Sequence, residues 1–320
     1  MNRLGPCLFA AVLSLAAAAA YAQLNGKVVR IVVPFAAGGV QDILARSMSH
    51  ELGQALGASV IVENRAGAGG TIGTAAVAKS TPDGTTLSMS AASHTINGSL
   101  YARLPYDPIK DFTPVAHIGN ASYVLMISAD TPAKSVDEFV KYAKANPGKL
   151  NYASAGNGSA THLSMAYFAG LAGLDMVHIP FKATGEAVNE VMTGRAQAVI
   201  AANIGALPYV KDARIKLIGV TGSTRSRFLP DLPTIAASGV PGYEFDSWFG
   251  LLGPAGIPRA TVEQINAAVG KLLKDPVILE RLAKQGIEPQ AMSADAFGKL
   301  LAADFGKMAK AVKTSGARID

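Results

Sequence analysis

One cysteine stands in the 320 residues, and it is Cys7. It lies in an opening segment that reads as an export signal. Met1–Arg3 begin with positive charge, Leu8–Ala20 is an almost unbroken apolar run, and Ala20-Tyr21-Ala22 offers the small-x-small pattern of a cleavage site. Cleavage before Gln23 removes residues 1–22, so the exported chain is expected to hold no thiol. That excludes disulfides, a cysteine nucleophile and cysteine metal ligands, and it suits the periplasm, where an unpaired thiol is a liability. Cys7 precedes the apolar run, whereas a lipid-attachment cysteine would follow it. The run itself spans about 13 residues, short for a bilayer, and no later stretch reaches about 18. A membrane anchor is therefore not expected.

Other shortages exclude other chemistries. Five histidines (His50, His94, His117, His162, His178) show no metal-ligand spacing. There is no G-x-S-x-G elbow and no H-E-x-x-H helix, so no catalytic residue, metal or cofactor is assigned and an enzyme is not expected. Gly67-x-Gly69-x-x-x-Gly73 comes near the dinucleotide fingerprint but has one residue too many, and no acidic strand end follows about 20 positions later. Charged residues make up only 16% of the chain, and loss of Arg3 lowers the formal charge from +6 to +5. The basic residues are scattered, without the stripe that nucleic-acid binders carry. Their surplus favours anions at long range but builds no site.

What is present is a rhythm of strand, turn and helix. Val28–Pro34 is β-branched and ends in a glycine turn, and Ile43, Leu44, Met48, Leu52 and Leu56 recur at helical spacing. Val60–Val62, a small-residue helix to Lys79, and Thr85–Ser90 continue the series. A second series begins near Tyr123: strand 124–128, a helix opened by the capping box Ser135-x-x-Glu138, strand 150–154, helix 161–173, strand 177–181, helix 186–193 and strands 198–201 and 216–220. Such alternation predicts parallel α/β sheets. After residue 222 a breaker-rich connection leads to strand 247–252 and to helices over 261–273, opened by a box Thr261-x-x-Gln264, 276–285 and 294–314. Those three helices need a surface, and the economical one is the first α/β unit. The exported 298 residues exceed one comfortable core. Two α/β lobes are expected, with residues 23–122 and 223–320 in lobe 1, residues 123–222 in lobe 2, and two crossings between them.

Three glycine-rich turns follow strands: Phe35-Ala36-Ala37-Gly38-Gly39-Val40-Gln41-Asp42, Gly67-Ala68-Gly69-Gly70-Thr71, and Ser154-Ala155-Gly156-Asn157-Gly158-Ser159. The first N–H groups of a helix lack intrahelical partners and sit at its positive dipole end. Glycine lets backbone approach a ligand closely. Two such turns on adjacent parallel strands make an anion cradle without an arginine. The plainer reading is that the glycines serve tight turns and close helix–sheet packing. Asp42 reads most simply as a cap on its turn. His162, one turn into its helix, reads as a structural hydrogen-bonder that could reach a ligand, and Trp248 reads as core.

Arg30–Asp42 (RIVVPFAAGGVQD), Val62–Gly73 (VENRAGAGGTIG), Pro82–Leu87 (PDGTTL), Tyr152–His162 (YASAGNGSATH), His178–Lys182 (HIPFK), Arg227–Thr234 (RFLPDLPT) and Trp248–Gly256 (WFGLLGPAG) together resemble the Bug (TctC-type) extracytoplasmic receptors of tripartite tricarboxylate transporters. The resemblance implies a two-lobed periplasmic-binding-protein fold, a Venus flytrap that closes on its ligand. It implies that a small carboxylated solute is held by Phe35, Ala37–Gly39, Val40, Gln41 and Asp42 with Ala68–Gly70, over a floor from Ser90 to Ser93. Lobe 2 would add Ser154, Gly156, Ser159, His162, Lys182, Thr184, Ala201 and Asn203. The implied partner is an inner-membrane permease of the tripartite type; a sensor kinase is the alternative, and the receptor is expected to be a monomer. Many members carry an aspartate where this chain has Ala201, placed to meet a ligand amine. A buried ammonium without a carboxylate is costly, so a di- or tricarboxylate or an aromatic carboxylate is expected rather than an amino acid. Ala183 stands where the family usually has glycine, and Val40-Gln41 where it often has a small hydroxyl residue.

Overall fold

A computed structural model describes residues 24–181 and 183–315. The chain runs β1 (Val28–Val33), α1 (Val40–Leu56), β2 (Ser59–Asn64), α2 (Thr71–Ala78), β3 (Thr86–Ala91), α3 (Ser93–Leu100) and β4 (Phe112–Ser128). It continues with α4 (Val136–Lys144), β5 (Leu150–Ser154), α5 (Ala160–Ala172), β6 (Met176–Pro180), α6 (Thr184–Met192), β7 (Ala198–Ala202), α7 (Asn203–Ala206) and β8 (Ile215–Val220). The last elements are β9 (Asp246–Pro254), α8 (Arg259–Leu272), α9 (Pro276–Ala283), β10 (Glu288–Pro289) and α10 (Ala294–Ser315).

Two sheets share one strand. The first has the order β2-β1-β3-β9-β4-β10, with β1 parallel to β2 and β3, and with β9 antiparallel to β3 and β4. The second has the order β8-β4-β7-β5-β6. β4 pairs with β9 through Ser122 and with β7 from Tyr123 onward, so one strand carries the chain from sheet to sheet. The segment between β8 and β9 brings it back. The fold is thus two-lobed α/β. The expected strand at 124–128 is only the far half of this 17-residue element. Pro114, Gly119 and Asn120 mask the rest, because they break the β pattern. In the structure the register shifts beside Pro114 and beside Gly119, where bulges absorb them.

Local signals explain most helix ends. α1 buries Leu44, Met48, Leu52 and Leu56, one stripe at four-residue spacing. At α4, Ser135 accepts from the Glu138 N–H, while Glu138 reaches back to the Lys134 N–H rather than to Ser135. The box proposed at Thr261 does not form. α8 starts earlier, at Arg259 behind Pro258, and Thr261 is fully buried in its first turn against Gly84. Proline's preset φ opens the helix there instead.

α8 lies on α1 and β4, and α9 on α1. α10 packs on α3 and also on α5, across both sheets. Its anchor is Asp304, which is buried and accepts from Trp248 Nε1 (2.8 Å) and Thr95 Oγ1 (2.6 Å). Burial pushes the Asp304 carboxyl up, against these two hydrogen bonds, which favour its anion. Trp248 is therefore core, and through Asp304 it fixes α3.

Candidate functional site

The three glycine turns occupy the carboxyl ends of β1, β2 and β5 and gather around α3. Asn97 of α3 donates from Nδ2 to the Gly69 carbonyl (2.9 Å). A Cβ on Gly158 would lie 2.9 Å from Leu100 of α3, so the third turn reaches the helix that holds the second. The first turn joins them through Phe35, whose carbonyl accepts from Asn64 Nδ2 (3.1 Å) and whose ring lies against Gly70.

In the first turn Asp42 is buried and fully engaged. Its carboxylate accepts from the Gly38 N–H (2.9 Å), from Asn64 Nδ2 (2.9 Å) and from Arg46 Nε (2.9 Å). Burial alone would raise its pKa, but the Gly38, Asn64 and Arg46 interactions outweigh it and hold the carboxyl below its ordinary value. Asp42 therefore builds the turn. This costs the cradle one donor, since the Gly38 N–H is already taken. What remains is the start of α1: no side chain caps it, and its first internal bond is Ile43 N–H to Gly39 O (2.9 Å). The N–H groups of Val40, Gln41 and Asp42 precede that bond and have no intrahelical partner. The Gln41 side chain turns away to donate to Met89 O (3.2 Å).

The second turn is wound left-handed. Ala68 has φ +46 and Gly69 φ +62. For alanine such a conformation costs about 1 kcal/mol, and Thr71 holds it by donating its hydroxyl to Ala68 O (2.9 Å). At Gly69 a Cβ would sit 2.6 Å from the Tyr101 hydroxyl, so both φ and space demand glycine. The Gly70 N–H closes the turn on Gly67 O (2.9 Å). The N–H groups of Ala68 and Gly69 lie outside the turn's own hydrogen bonds.

In the third turn side chains consume the donors. Ala155 N–H goes to Thr161 Oγ1 (2.8 Å), Gly156 N–H to Ser154 Oγ (3.1 Å), Gly158 N–H to His162 Nδ1 (3.0 Å) and His162 N–H to Ser159 Oγ (3.2 Å). His162 is buried, and its ring stacks on His178 at 3.9 Å.

The expected residues thus fall into three groups. Ala37, Gly38, Gly39, Ala68 and Gly69 are exposed, and Phe35, Val40, Gln41, Ser93, Gly156, Ser159 and Thr184 are half-buried. Asp42, Gly70, Ser90, Ser154, His162, Ala201 and Asn203 are buried. Lys182 lies outside the described residues. Ser90 donates its hydroxyl to Ser88 (3.0 Å), and Asn203 donates to Ser226 (3.1 Å), which in turn donates to Glu288 Oε1 (2.7 Å). Ala201 needs correction. It is fully buried in an apolar cluster with Val124 and Met126, so its side chain does not face the turns. Its lack of a carboxylate cannot by itself set ligand charge. Ala183 adopts extended backbone, φ −146, which alanine accepts without strain.

Sequence reasoning missed Asn64, Asn97 and Tyr101. The first holds Asp42 and Phe35 in place; the others lie on or just past α3 and touch Gly69. No signal marked α3, because Ser93–Leu100 mixes polar residues with Gly98 and has no apolar period.

Two α/β lobes that share one strand, with uncapped backbone donors at adjacent strand ends, are the architecture of a solute-binding receptor. A model of the tripartite tricarboxylate transporter family receptor, TctC, matches residues 44–316. The chain belongs to that family. BugT of Bordetella pertussis is 31% identical over 314 residues, covering 98% of this chain and 96% of its own. Among solved structures, Rpa4515 of Rhodopseudomonas palustris with adipate is 32% identical with a TM-score of 0.75, covering 92% of this chain and 99% of its own. MatC of the same organism with bound malate is 31% identical with a TM-score of 0.70, covering 89% and 99%.

Proposed function

We propose that this protein is a periplasmic receptor that captures a small di- or tricarboxylate, or an aromatic carboxylate, and delivers it to a tripartite permease. The observation that carries the reading is the row of N–H groups at Val40, Gln41, Ala68 and Gly69, on two turns locked together by Asn64 and Phe35. A carboxylate placed there gains backbone hydrogen bonds and the dipole of a 17-residue helix. Asp42 is the only acidic residue in the segments 35–42, 68–70, 90–93 and 154–159, and its oxygens are already used. A ligand ammonium would find no counter-charge in these segments, which favours acids without an amine. With the lobes divided near residues 122 and 222, lobe 1 docks the carboxylate and the third turn closes from lobe 2. Closure excludes water and strengthens the dipolar contacts, and its extent is set by the ligand's preference for the closed state. The adipate and malate held by the two related structures fit this chemistry.

The test is a thermal-shift screen followed by calorimetry, with adipate, malate, citrate and benzoate set against glutamate and aspartate. Binding to the folded state raises the melting temperature by mass action. At least one acid without an amine is expected to bind more tightly than both amino acids. Tight glutamate or aspartate binding, with none for the other acids, would overturn the reading.

A further inference from the structure

Behind the third turn stands a column of three rings. Tyr152 of β5 stacks on His178 of β6 (4.9 Å, 19°), and His178 stacks on His162 of α5 (3.9 Å, 6°). Both imidazoles are wired to the turn. The Gly158 N–H donates to His162 Nδ1 at 3.0 Å, and His178 Nε2 lies 2.6 Å from Ser154 Oγ. Since a backbone N–H can only donate, His162 Nδ1 must be unprotonated, which puts the proton of the neutral ring on Nε2. A cavity of about 570 Å³ opens against all three rings and also borders Asn157 of the turn.

We infer that His162 and His178 are positioning residues that latch the third turn in its closing shape, and that a proton taken up at His162 Nδ1 from the cavity side releases it. The step is simple addition: a solvent proton occupies the Nδ1 lone pair, and the Gly158 N–H loses its acceptor and faces a new N–H. His178 limits the pair to one proton, because two imidazolium rings stacked at 3.9 Å repel strongly. The surroundings agree. β5 faces the pair with Tyr152, whose phenol burial pushes up to about 12, so it stays neutral. The segment before β6 brings Asp175, the one carboxylate lining the cavity among the described residues. α5 and the end of α10 line it with Ala166, Ala169, Gly170, Thr314 and Ser315, and no cation is among the described lining residues.

The direction follows from linkage. Burial first, and then the neighbouring His178, lower His162 to about 4 in the latched form, while a released ring returns to the ordinary 6.5. The released form therefore binds more protons between these values. The latch is fully favoured above 6.5 and weakens as pH falls toward 4. Acid would thus loosen the lobe 2 side of the site while Asp42, held below its ordinary value, keeps the lobe 1 cradle intact.

The inference rests on the third turn closing over the ligand, and the test separates the two. In ligand-free protein, amide hydrogen exchange and the ¹⁵N shift of Gly158 are followed from pH 7.5 to 4, in wild type and in His162→Asn, whose Oδ1 can still accept. Wild type is expected to lose Gly158 protection as pH falls, in step with the His162 ring signal, and the variant is expected to stay flat. In His178→Gln the midpoint is expected to move up toward 6.5. Asp246, at the crossing between lobes and pushed up to about 6 by burial, titrates in both proteins and cancels in the difference. Adipate affinity is then expected to fall about tenfold more in wild type than in His162→Asn between pH 7 and 5. A Gly158 amide that does not respond to pH, or responds equally in both, overturns the latch. A latch that titrates in a protein that binds no carboxylate at pH 7 counts against the proposed function instead.

Discussion

The turns after β1 and β2 and the turn after β5 look alike as text, since all are glycine-rich and all precede a helix. Their hydrogen bonds differ. The first two leave helix-start and turn donors open, and their supporting groups (Asp42, Asn64, Asn97, Thr71) mostly grip carbonyls or the single N–H of Gly38. The third is filled by its own hydroxyls and imidazoles. An anion site needs donors without partners, whereas a moving jaw needs a shape that holds before ligand arrives. In the proposed function the same glycine pattern serves docking in lobe 1 and closure in lobe 2, and the neighbouring polar side chains separate the two.

Substitutions should separate the two roles. The largest effect is expected from Gly69→Val, which meets both a left-handed φ and the Tyr101 hydroxyl. Carboxylate binding measured by calorimetry should fall about a hundredfold or more, with the far-ultraviolet circular dichroism of the folded protein retained. A variant that binds normally would remove the second turn from the site. Asp42→Asn should come next. It weakens a charge-assisted bond to Gly38, costing about 1–3 kcal/mol in urea unfolding at pH 7, and binding should weaken as the turn loosens. Because Asp42 is held below its ordinary value, its contribution is present above about pH 4 and lost as pH falls through the lowered value. The wild-type advantage over Asp42→Asn should therefore shrink as pH falls below about 4.

Ser159→Ala removes the cap of α5 and should cost about 1 kcal/mol of stability. Its effect on the affinity of lobe 1 for carboxylate should be small, and a loss as large as that of Gly69→Val would dissolve the distinction between docking and closing turns. The smallest change is expected from Ala68→Gly. Relief of the positive φ is largely offset by the added freedom of the unfolded chain, so stability should move by less than about 1 kcal/mol.

Much of this was legible beforehand. Alternating β-branched runs and helical stripes located β1, α1, β5 and α5 within a residue or two, because each is stabilised by its own pattern. Asp42 could be read as a turn cap and Trp248 as core for the same reason: the partner of the first is four residues away, and the bulk of the second has few other places to go. β4 was half hidden, since Pro114 and Gly119 are acceptable only where a bulge relieves the ladder. α3 was wholly hidden, because contacts with Asp304, more than 200 residues distant, hold it in place.

The sequence by itself determined the kind of lobe, the positions of three glycine turns and the shortage of reactive groups, all of which are local or compositional properties. Only the tertiary structure decided which backbone donors stay open. That depends on side chains brought from other elements: Asn64 to Phe35, Asn97 to Gly69 and His178 to Ser154. It also withdrew Ala201 from the cleft, because whether a strand-end residue faces ligand or core depends on the sheet's packing and not on its place in the chain.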